Sequence, residues 1–484
     1  MTADPRYRRK LDEMRLALRD TLTIGVTGTK GKTSTAEFIA QVMESCGLLT
    51  AVSTSEASRI GTRSQEVGDS TWDLIDFALR ARRAGVACFV VELPSIALAW
   101  GINHGFDFDL CVLTNIGTDH IPTHGNRRNY LSAKQRMFRD LSRLPHTPLP
   151  IAVLNADDPE SDAFASCLRP EVTLVTYGLT GRRLRGRRAE RHLDAVDVAH
   201  DARGTSFTVL GLPDGPVPCR TTLHGGFNVL NVLAALASTV ARPAATARLA
   251  RAVRDLRPPA GRFDVVAWPS STRPGVVVDY AHTPESLESA LTAARSLAGQ
   301  QHLHAVFGCG GGIYQRKRPM MGAAAARLAD LVTITTDNPR FEPPDVIARH
   351  VLRGIAISQR TRVRLEPNRA HAITAAIIQA SGGDVVAVLG RGADRLQAIG
   401  GHHRPLSDRR VALAALDRRL PHASSTGGVS LSAIGAVVLD PHGDVALFDK
   451  RADCVRPTAS LVKLMTLLLA FDAIADGQLS LRDT

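Results

Sequence analysis

The stretch TIGVTGTKGKTSTAEFIAQVM, Thr23–Met43, decides the fold. Its start lies within LTIGVT (Leu22–Thr27), an apolar, β-branched run that reads as a buried strand. Gly28 and Gly31 then bracket a turn, and an amphipathic stretch follows. Strand, glycine turn and helix in that order bring backbone N–H groups and the positive end of a helix to one point, which suits phosphate oxygens. Lys32 can reach terminal phosphates and Thr33 can ligate Mg²⁺. The strict phosphate-loop pattern asks for glycine at the position of Val26, so T-G-T-K-G-K-T-S is a variant of it. The alternative is a glycine turn without function.

Around this stretch lie 484 residues, enough for two or three domains, each with its own core. The formal charge of +12 is mostly scattered arginine. Its densest tract, GRRLRGRRAERH (Gly181–His192), has no interleaved aromatics and reads as a solvated loop, so nucleic acid is not an expected partner. The seven cysteines lie far apart without metal-ligand spacing, as reduced thiols of a cytoplasmic protein would. The N-terminus reads as a short amphipathic helix rather than a signal peptide. The most apolar late run, LMTLLLAF (Leu464–Phe471), is too short to span a bilayer, so no membrane is expected either.

Short apolar runs alternate with helical patterns in two regions, which predicts an α/β fold with mostly parallel sheets. The first region has strands at Leu22–Thr27, Ala87–Glu92, Leu110–Thr114 and Ile151–Asn155, an edge strand at Thr205–Leu212, and a closing helix at Asn228–Ala241. The Ala/Arg/Pro-rich stretch Ala241–Gly261 is a boundary. The second region has strands at Gly275–Tyr280, Leu303–Gly308, Leu331–Thr335 and Asp384–Gly390, then a helix with Ser407 as its N-cap. PHASSTGG (Pro421–Gly428) is a linker by composition.

The variant loop resembles the ATP loop of the Mur ligase family, which builds the peptide stem of peptidoglycan. Further motifs match in order: VVELPSIAL (Val90–Leu98), TNIGTDHIPTHGNRRNYLSAK (Thr114–Lys134), LNADDP (Leu154–Pro159), HGGFNVLN (His224–Asn231), AGRFD (Ala260–Asp264) and VDYAHTPESL (Val278–Leu287). VFGCGGG (Val306–Gly312), KRPMMG (Lys317–Gly322), TDNPR (Thr336–Arg340) and LGRGAD (Leu389–Asp394) complete the series. The resemblance runs from about residue 22 to 420 and is strongest to the branch that adds the third stem residue, the UDP-N-acetylmuramoyl-tripeptide synthetases. It implies a phosphate-loop ATP-binding domain at 22–243 and a Rossmann-like ligase domain at 244–422, flanked by the N-terminal helix at 1–21 and a separate linker and tail at 423–484.

The implied activity is ATP-dependent joining of a small-molecule acyl substrate to an amino acid through an acyl phosphate. Two anions meet in its first step, so cations must offset their repulsion. By resemblance, Gly28, Thr29, Lys30, Gly31, Lys32, Thr33 and Ser34 cradle the phosphates, and two Mg²⁺ ions are held by Thr33, Glu92 and His120. His124 is either a further ligand or a loop histidine. Lys134 is either carbamylated, placing a metal as an anion, or a surface lysine in the first turn of a helix. Asn228 and Asn231 suit adenine-edge contacts, although capping would explain one of them. Asp279, Tyr280 and His282 would contact ribose and base, and Arg262 would cross the interdomain cleft to the phosphates. Lys32, Lys134, His120 and Arg262 form the implied catalytic set. Asp337, Asn338 and Arg340, in the form of the motif associated with meso-diaminopimelate, would bind the amino acid, with Gly390 and Asp394 beside them and Arg340 as a carboxylate clamp. Ser70 and Thr71 lie near the acyl substrate.

Two features depart from the pattern. The family's G-K-G-H-E is G-R-G-A-D here, so Ala393 loses an imidazole and Asp394 shortens a carboxylate arm. Only 24 residues precede Gly25, so a UDP-binding domain is expected to be absent or supplied by a partner chain. The tail resembles the start of a D-alanyl-D-alanine carboxypeptidase, with S-x-x-K at Ser460–Lys463, and is expected to be a truncated, inactive fragment because the partner motifs do not follow. A nucleotide-binding pseudoenzyme is the alternative to an active ligase.

Overall fold

The computed structural model describes residues 5–65, 68, 70–117, 122–141, 150–241, 244–312, 315–419, 436–439 and 446–450. His120, the linker at 421–428 and the Ser460–Lys463 pair lie outside the described residues.

The first region is one sheet of eleven strands. They are β1 (Leu22–Thr27), β2 (Thr50–Ser53), β3 (Ser58–Ile60), β4 (Arg63–Gln65), β5 (Cys88–Glu92), β6 (Leu110–Leu113), β7 (Ile151–Asn155), β8 (Thr173–Gly178), β9 (Arg191–Asp201), β10 (Gly204–Leu210) and β11 (Val217–Thr221). Their spatial order is β11-β10-β9-β8-β7-β6-β1-β5-β2-β3-β4. From β9 across to β2 every pair is parallel, and each end finishes in antiparallel strands. Ile24 and Val26 point into a core on one face, under helices Lys32–Ser45 and Gly226–Ser238. The opposite face is covered by helices Thr71–Arg83 and Arg127–Asp140, with Tyr7, Leu11 and Met14 of the N-terminal helix Pro5–Ala17 in the same core. That helix is therefore part of the domain's packing.

Two expectations change. The Thr205–Leu212 strand is not an edge: β10 pairs on both sides, and β11 forms the edge. Nor is the arginine tract simply solvated. Arg182 bonds the Ala156 and Asp158 carbonyls and Asp162, while Arg187 bonds the carbonyls of Leu168, Arg169, Pro170 and Val172. The two guanidiniums fasten the tract by capping carbonyls that no strand satisfies.

The second region is a six-stranded sheet of β12 (Asp264–Ala267), β13 (Gly275–Asp279), β14 (Leu303–Phe307), β15 (Leu331–Ile334), β16 (Val363–Leu365) and β17 (Val385–Leu389). Their order is β12-β13-β17-β14-β15-β16, all parallel except β12. Cores lie on both faces, as a buried parallel sheet requires. A small hairpin follows, β18 (Leu396–Ile399) with β19 (His402–Pro405). Ser407 caps the last helix as expected, its Oγ accepting from Arg410 N at 3.4 Å. Residues 417–484 form a separate unit in which β20 (Ala436–Leu439) and β21 (Ala446–Lys450) pair antiparallel. No helix among the described residues is long and apolar enough to cross a membrane.

Candidate functional site

Parallel register fixes the site. Val26 of β1 pairs with Glu92 of β5, so Glu92 ends beside the turn that leaves β1, where ligands bind in open α/β sheets. In the second sheet Asp279 and Phe307 both pair with Leu389, bringing the loops after β13, β14 and β17 to one edge.

The turn is shaped by its neighbours. Gly28 has φ +152°, and a Cβ there would stand 1.9 Å from Thr114 Oγ1. Gly31, at φ +79°, precedes the helix Lys32–Ser45, and no side chain caps that helix. Not all the loop amides converge on one point as expected. Thr29 N donates to Asn115 O at 2.8 Å and Lys30 N to Asn115 Oδ1 at 2.9 Å. The uncapped helix start, from Lys32 to Ser34, presents backbone amides without a helical partner, which suits an anion. Lys32 Nζ donates to Thr29 O at 3.2 Å and lies 3.7 Å from Glu92 Oε1.

Glu92 is buried yet held as a carboxylate. Its Oε2 accepts from Thr33 Oγ1 at 2.8 Å, Ser55 N at 3.1 Å and Ser55 Oγ at 3.3 Å. Burial acts to raise its pKa, but Lys32, the Ser55 amide, Thr33 and Arg262 together bring it below the ordinary value. The hydroxyl of Thr33 and this carboxylate are hard oxygen donors suited to Mg²⁺. No group of three or more His, Cys, Asp or Glu among the described residues could hold a metal by itself.

Lys134 is not a surface lysine in a first turn. It sits mid-helix and buried, donating to Gly28 O at 2.6 Å, with its ammonium 4.9 Å from the centre of the Tyr130 ring. His124 Nε2 lies 2.9 Å from Ser95 Oγ, so one of its two ring nitrogens is engaged within the protein.

The second sheet closes over this edge. Arg262 ion-pairs with Glu56, lies 3.5 Å from Thr33 Oγ1, and packs 4.5 Å over the Tyr280 ring. It does cross the cleft, but to a carboxylate and a hydroxyl of the first domain. Asp279 Oδ2 accepts from Phe263 N at 2.6 Å, and burial raises its pKa against the pull of Arg262. His282 Nδ1 lies 2.8 Å from Tyr280 O, and its Nε2 lies 3.5 Å from Lys30 Nζ.

Between the loop and these residues lies a cavity of about 320 Å³, with Phe227, Leu230, Ala281 and Ala290 among its walls, an apolar slot beside a phosphate cradle. Asn231 lines it, while its Oδ1 accepts from Thr35 Oγ1 at 3.1 Å. Asn228 does not line it and donates to His224 O at 2.9 Å. Neither asparagine caps its helix, which starts from Gly225 without a side-chain cap. A larger cavity of about 1810 Å³ opens on the other side of Thr33 and Glu92. Ser70 and Thr71 line it, but Ser70 is committed to a capping box with Asp73.

At the far end, Asn338 Oδ1 accepts from Ala398 N at 2.9 Å, and its Nδ2 lies 3.4 Å from Asp394 Oδ2. Asp337 Oδ1 accepts from Asn338 N at 2.6 Å, and a Cβ on Gly390 would meet Asp337 Oδ2 at 2.5 Å. Arg340 is exposed, at φ +56°, with Nη1 on Gly311 O at 3.0 Å. Burial and the neighbouring Asp337 raise the Asp394 pKa, against the pull of Arg391.

Sequence reasoning missed Glu56, Asn115 and the buried base of the amino-acid end. There Arg318, fully buried, bonds both oxygens of Glu342 at 2.6 and 2.7 Å and Gly310 O at 3.0 Å. A carboxylate three residues beyond a strand end is the signal that would have found Glu56, but β2 has only four residues and escaped notice.

Comparison with known proteins agrees with this geometry. Residues 26–239 match the Mur ligase middle domain, and residues 261–392 match the Mur ligase glutamate ligase domain. The chain is 36% identical over 400 residues to the UDP-N-acetylmuramoyl-L-alanyl-D-glutamate–2,6-diaminopimelate ligase of Geobacillus kaustophilus, covering 82% of this chain and 79% of that protein. The Ralstonia nicotianae ligase of the same name is also 36% identical, with 81% and 76% covered. A solved structure of a ligase of that name aligns with a TM-score of 0.58 at 29% identity, over 82% of this chain and 79% of that one. Folylpolyglutamate synthase of Mycobacterium tuberculosis, complexed with ADP, shares the fold with a TM-score of 0.64 at 18% identity, covering 85% and 94%.

Proposed function

We propose, from the premise that this chain belongs to the Mur ligase family, that it joins a substrate carboxylate to an amino acid at the expense of ATP in the cytoplasm. One observation carries the reading: Lys32, Thr33 and Glu92 of one sheet meet Arg262 of the other at an uncapped helix start. ATP supplies a phosphoryl group that turns the carboxylate into an acyl phosphate open to attack by an amine. The helix amides and Lys32 hold the terminal phosphate, and Arg262 screens the charge of the approaching carboxylate. Thr33, Glu92 and His120 would hold Mg²⁺. The apolar slot takes the base, with Asn231, Tyr280 and His282 at its polar rim and Asp279 near the ribose.

The acyl substrate belongs in the larger cavity, which reaches Thr33 and Glu92 from the side opposite the nucleotide. The amino acid enters at Asn338, Arg340 and Asp394. The exposed Arg340 guanidinium would clamp a distal carboxylate, so a diamino diacid of the diaminopimelate type is the proposed amine. Carbamylation of Lys134 also belongs to the proposal; burial beside Gly28 O and the Tyr130 ring puts its Nζ next to the phosphate turn. The proposed domain bounds remain 22–243 and 244–422, each around one sheet, with 423–484 an appended fragment, although helices Pro5–Ala17 and Thr246–Asp255 both pack into the first sheet's cores.

The experiment measures phosphate release with ATP and Mg²⁺ against a matrix of amino acids and acyl acceptors, with mass detection of the amide. Amine-dependent phosphate release is expected, and Lys32→Ala is expected to lower it about 10³-fold with an unchanged melting temperature. Unchanged turnover in that variant would remove the loop from the mechanism.

A further inference from the structure

The larger cavity has two unlike walls. The first domain lines it with Glu37, Glu56 and Glu92, and each of these carboxylates is answered by a cation. Arg59 Nε donates to Glu37 Oε2 at 2.9 Å, Arg262 pairs with Glu56, and Lys32 Nζ lies 3.7 Å from Glu92 Oε1. The second domain lines it with Arg395, Arg409 and Arg410, all three exposed. Arg409 has a carboxylate partner, with its Nε 3.2 Å from Asp264 Oδ2. Arg395 is tied through its carbonyl to Leu406 N at 2.9 Å, and Arg410 through its amide to Ser407 Oγ at 3.4 Å. Neither of these two side chains has an ion pair or hydrogen bond among the described residues. Once every pair is counted, the cavity keeps two unmatched guanidiniums.

Their backbone is well fixed. Arg391, fully buried, bonds the Leu396 and Leu406 carbonyls on either side of the hairpin that Arg395 leads into. Asp408, also fully buried and next to Arg409 and Arg410, is held by Arg369. Cations carried on an ordered backbone lose less freedom on binding a ligand than cations on a loose loop. Consecutive residues also serve different sites. Asp394 does not line the cavity and lies 3.4 Å from Asn338 Nδ2 at the amino-acid end, whereas Arg395 lines the cavity.

The carboxylate to be activated needs Thr33 and Glu92, both on the first-domain wall. It has no use for two arginines from the second domain. We infer that the acyl substrate carries a second anionic group, a carboxylate or a phosphate, and that Arg395 and Arg410 bind it. The inference rests on the ligase reading and names the class of acid that reading leaves open: one with a further negative charge beyond the reacting carboxylate. Either anion suits a guanidinium, whose N–H donors match paired oxygens. Such a substrate would touch both domains, with its reacting end on the first and its second charge on the other.

Three acids of matched chain length isolate the second charge. Glutarate has two carboxylates, glutaramate replaces one with a neutral amide, and 4-phosphonobutyrate replaces it with a phosphonate. Each is titrated calorimetrically, at one ionic strength, into the full chain loaded with β,γ-methylene-ATP and Mg²⁺. Glutarate or 4-phosphonobutyrate is expected to bind at least about tenfold tighter than glutaramate, and the tighter of the two identifies the anion. The double variant Arg395→Gln, Arg410→Gln is expected to lose that preference while its affinity for glutaramate and for the nucleotide analogue stays the same. Arg410→Lys alone, which keeps the charge, is expected to retain part of the preference, and a melting scan checks that the variants are folded. The inference falls if the loaded wild type binds none of the acids or shows no preference, or if the preference survives in the double variant. It also falls if glutaramate weakens there as much as the dianions, since the arginines would then be structural. A wild type that binds no nucleotide analogue overturns the ligase reading itself, and this inference with it.

Discussion

At the phosphate end, the contacts that shape the site come mainly from one continuous run, Thr27–Ser34, with Asn115, Thr114 and Lys134 bracing it from behind. At the amino-acid end, the loops after β14, β15 and β17 are held by side chains far apart in sequence. Arg318 joins Glu342 to the Gly310 carbonyl, Arg369 pairs with Asp408 through both oxygens at 2.8 and 2.6 Å, and Arg391 bonds the Leu396 and Leu406 carbonyls. All three arginines are buried. A phosphate is recognised by backbone amides, which any sequence able to make the turn provides. A particular amino acid needs side chains fixed in direction, and these buried arginines hold the loops around Asn338, Arg340 and Asp394, the side chains proposed for it. Breaking such a buried pair is costly because it strands a charge away from water.

The comparison can be broken most sharply at Lys134. Lys134→Ala is expected to lose about three orders of magnitude in phosphate release, and short carboxylic acids are expected to restore part of it if the side chain works as a carbamate. Full activity without additive would show that the phosphate turn needs no support from behind. Arg318→Met is the matching test at the other end. It should lower the unfolding free energy in urea by about 3 kcal/mol and raise the KM for the amino acid, while the KM for ATP stays the same. Equal effects on both KM values would mean that the two ends are not built separately.

The smallest effect concerns the seam between them. His224, buried beside Phe263 and Trp268, has no hydrogen-bond partner for either ring nitrogen among the described residues, and burial pushes its pKa down to about 4 from 6.5. A folded-state value below the unfolded one stabilises the fold above pH 6.5, and that contribution is lost as pH falls towards about 4. A urea series across this window should show the decline, flattened in His224→Phe. An unchanged slope in the variant would mean that other groups set it, among them His304, whose value is also about 4.

Local order along the chain was legible where a single run carries the physics. The glycine turn, the Glu92 strand end and the Ser407 cap all follow from neighbouring residues. Short or amphipathic strands were not legible. β2, β3 and β4 have four, three and three residues, and β9 has only three buried positions, Leu193–Ala195, before a largely exposed, charged half. For that reason β10 was read as an edge and Glu56 was overlooked.

By itself, the sequence determined that two parallel α/β sheets exist, that the first begins with a phosphate turn, and that Lys32, Thr33 and Glu92 belong to it, because strand burial and turn chemistry act between close neighbours. Only the tertiary structure decided that Lys134 is buried against Gly28, that Asn115 takes two of the loop's amides, and that Arg262 meets Glu56. Those partners are separated by between 85 and 206 residues, and only sheet register and the packing of one sheet's edge against the other bring them together.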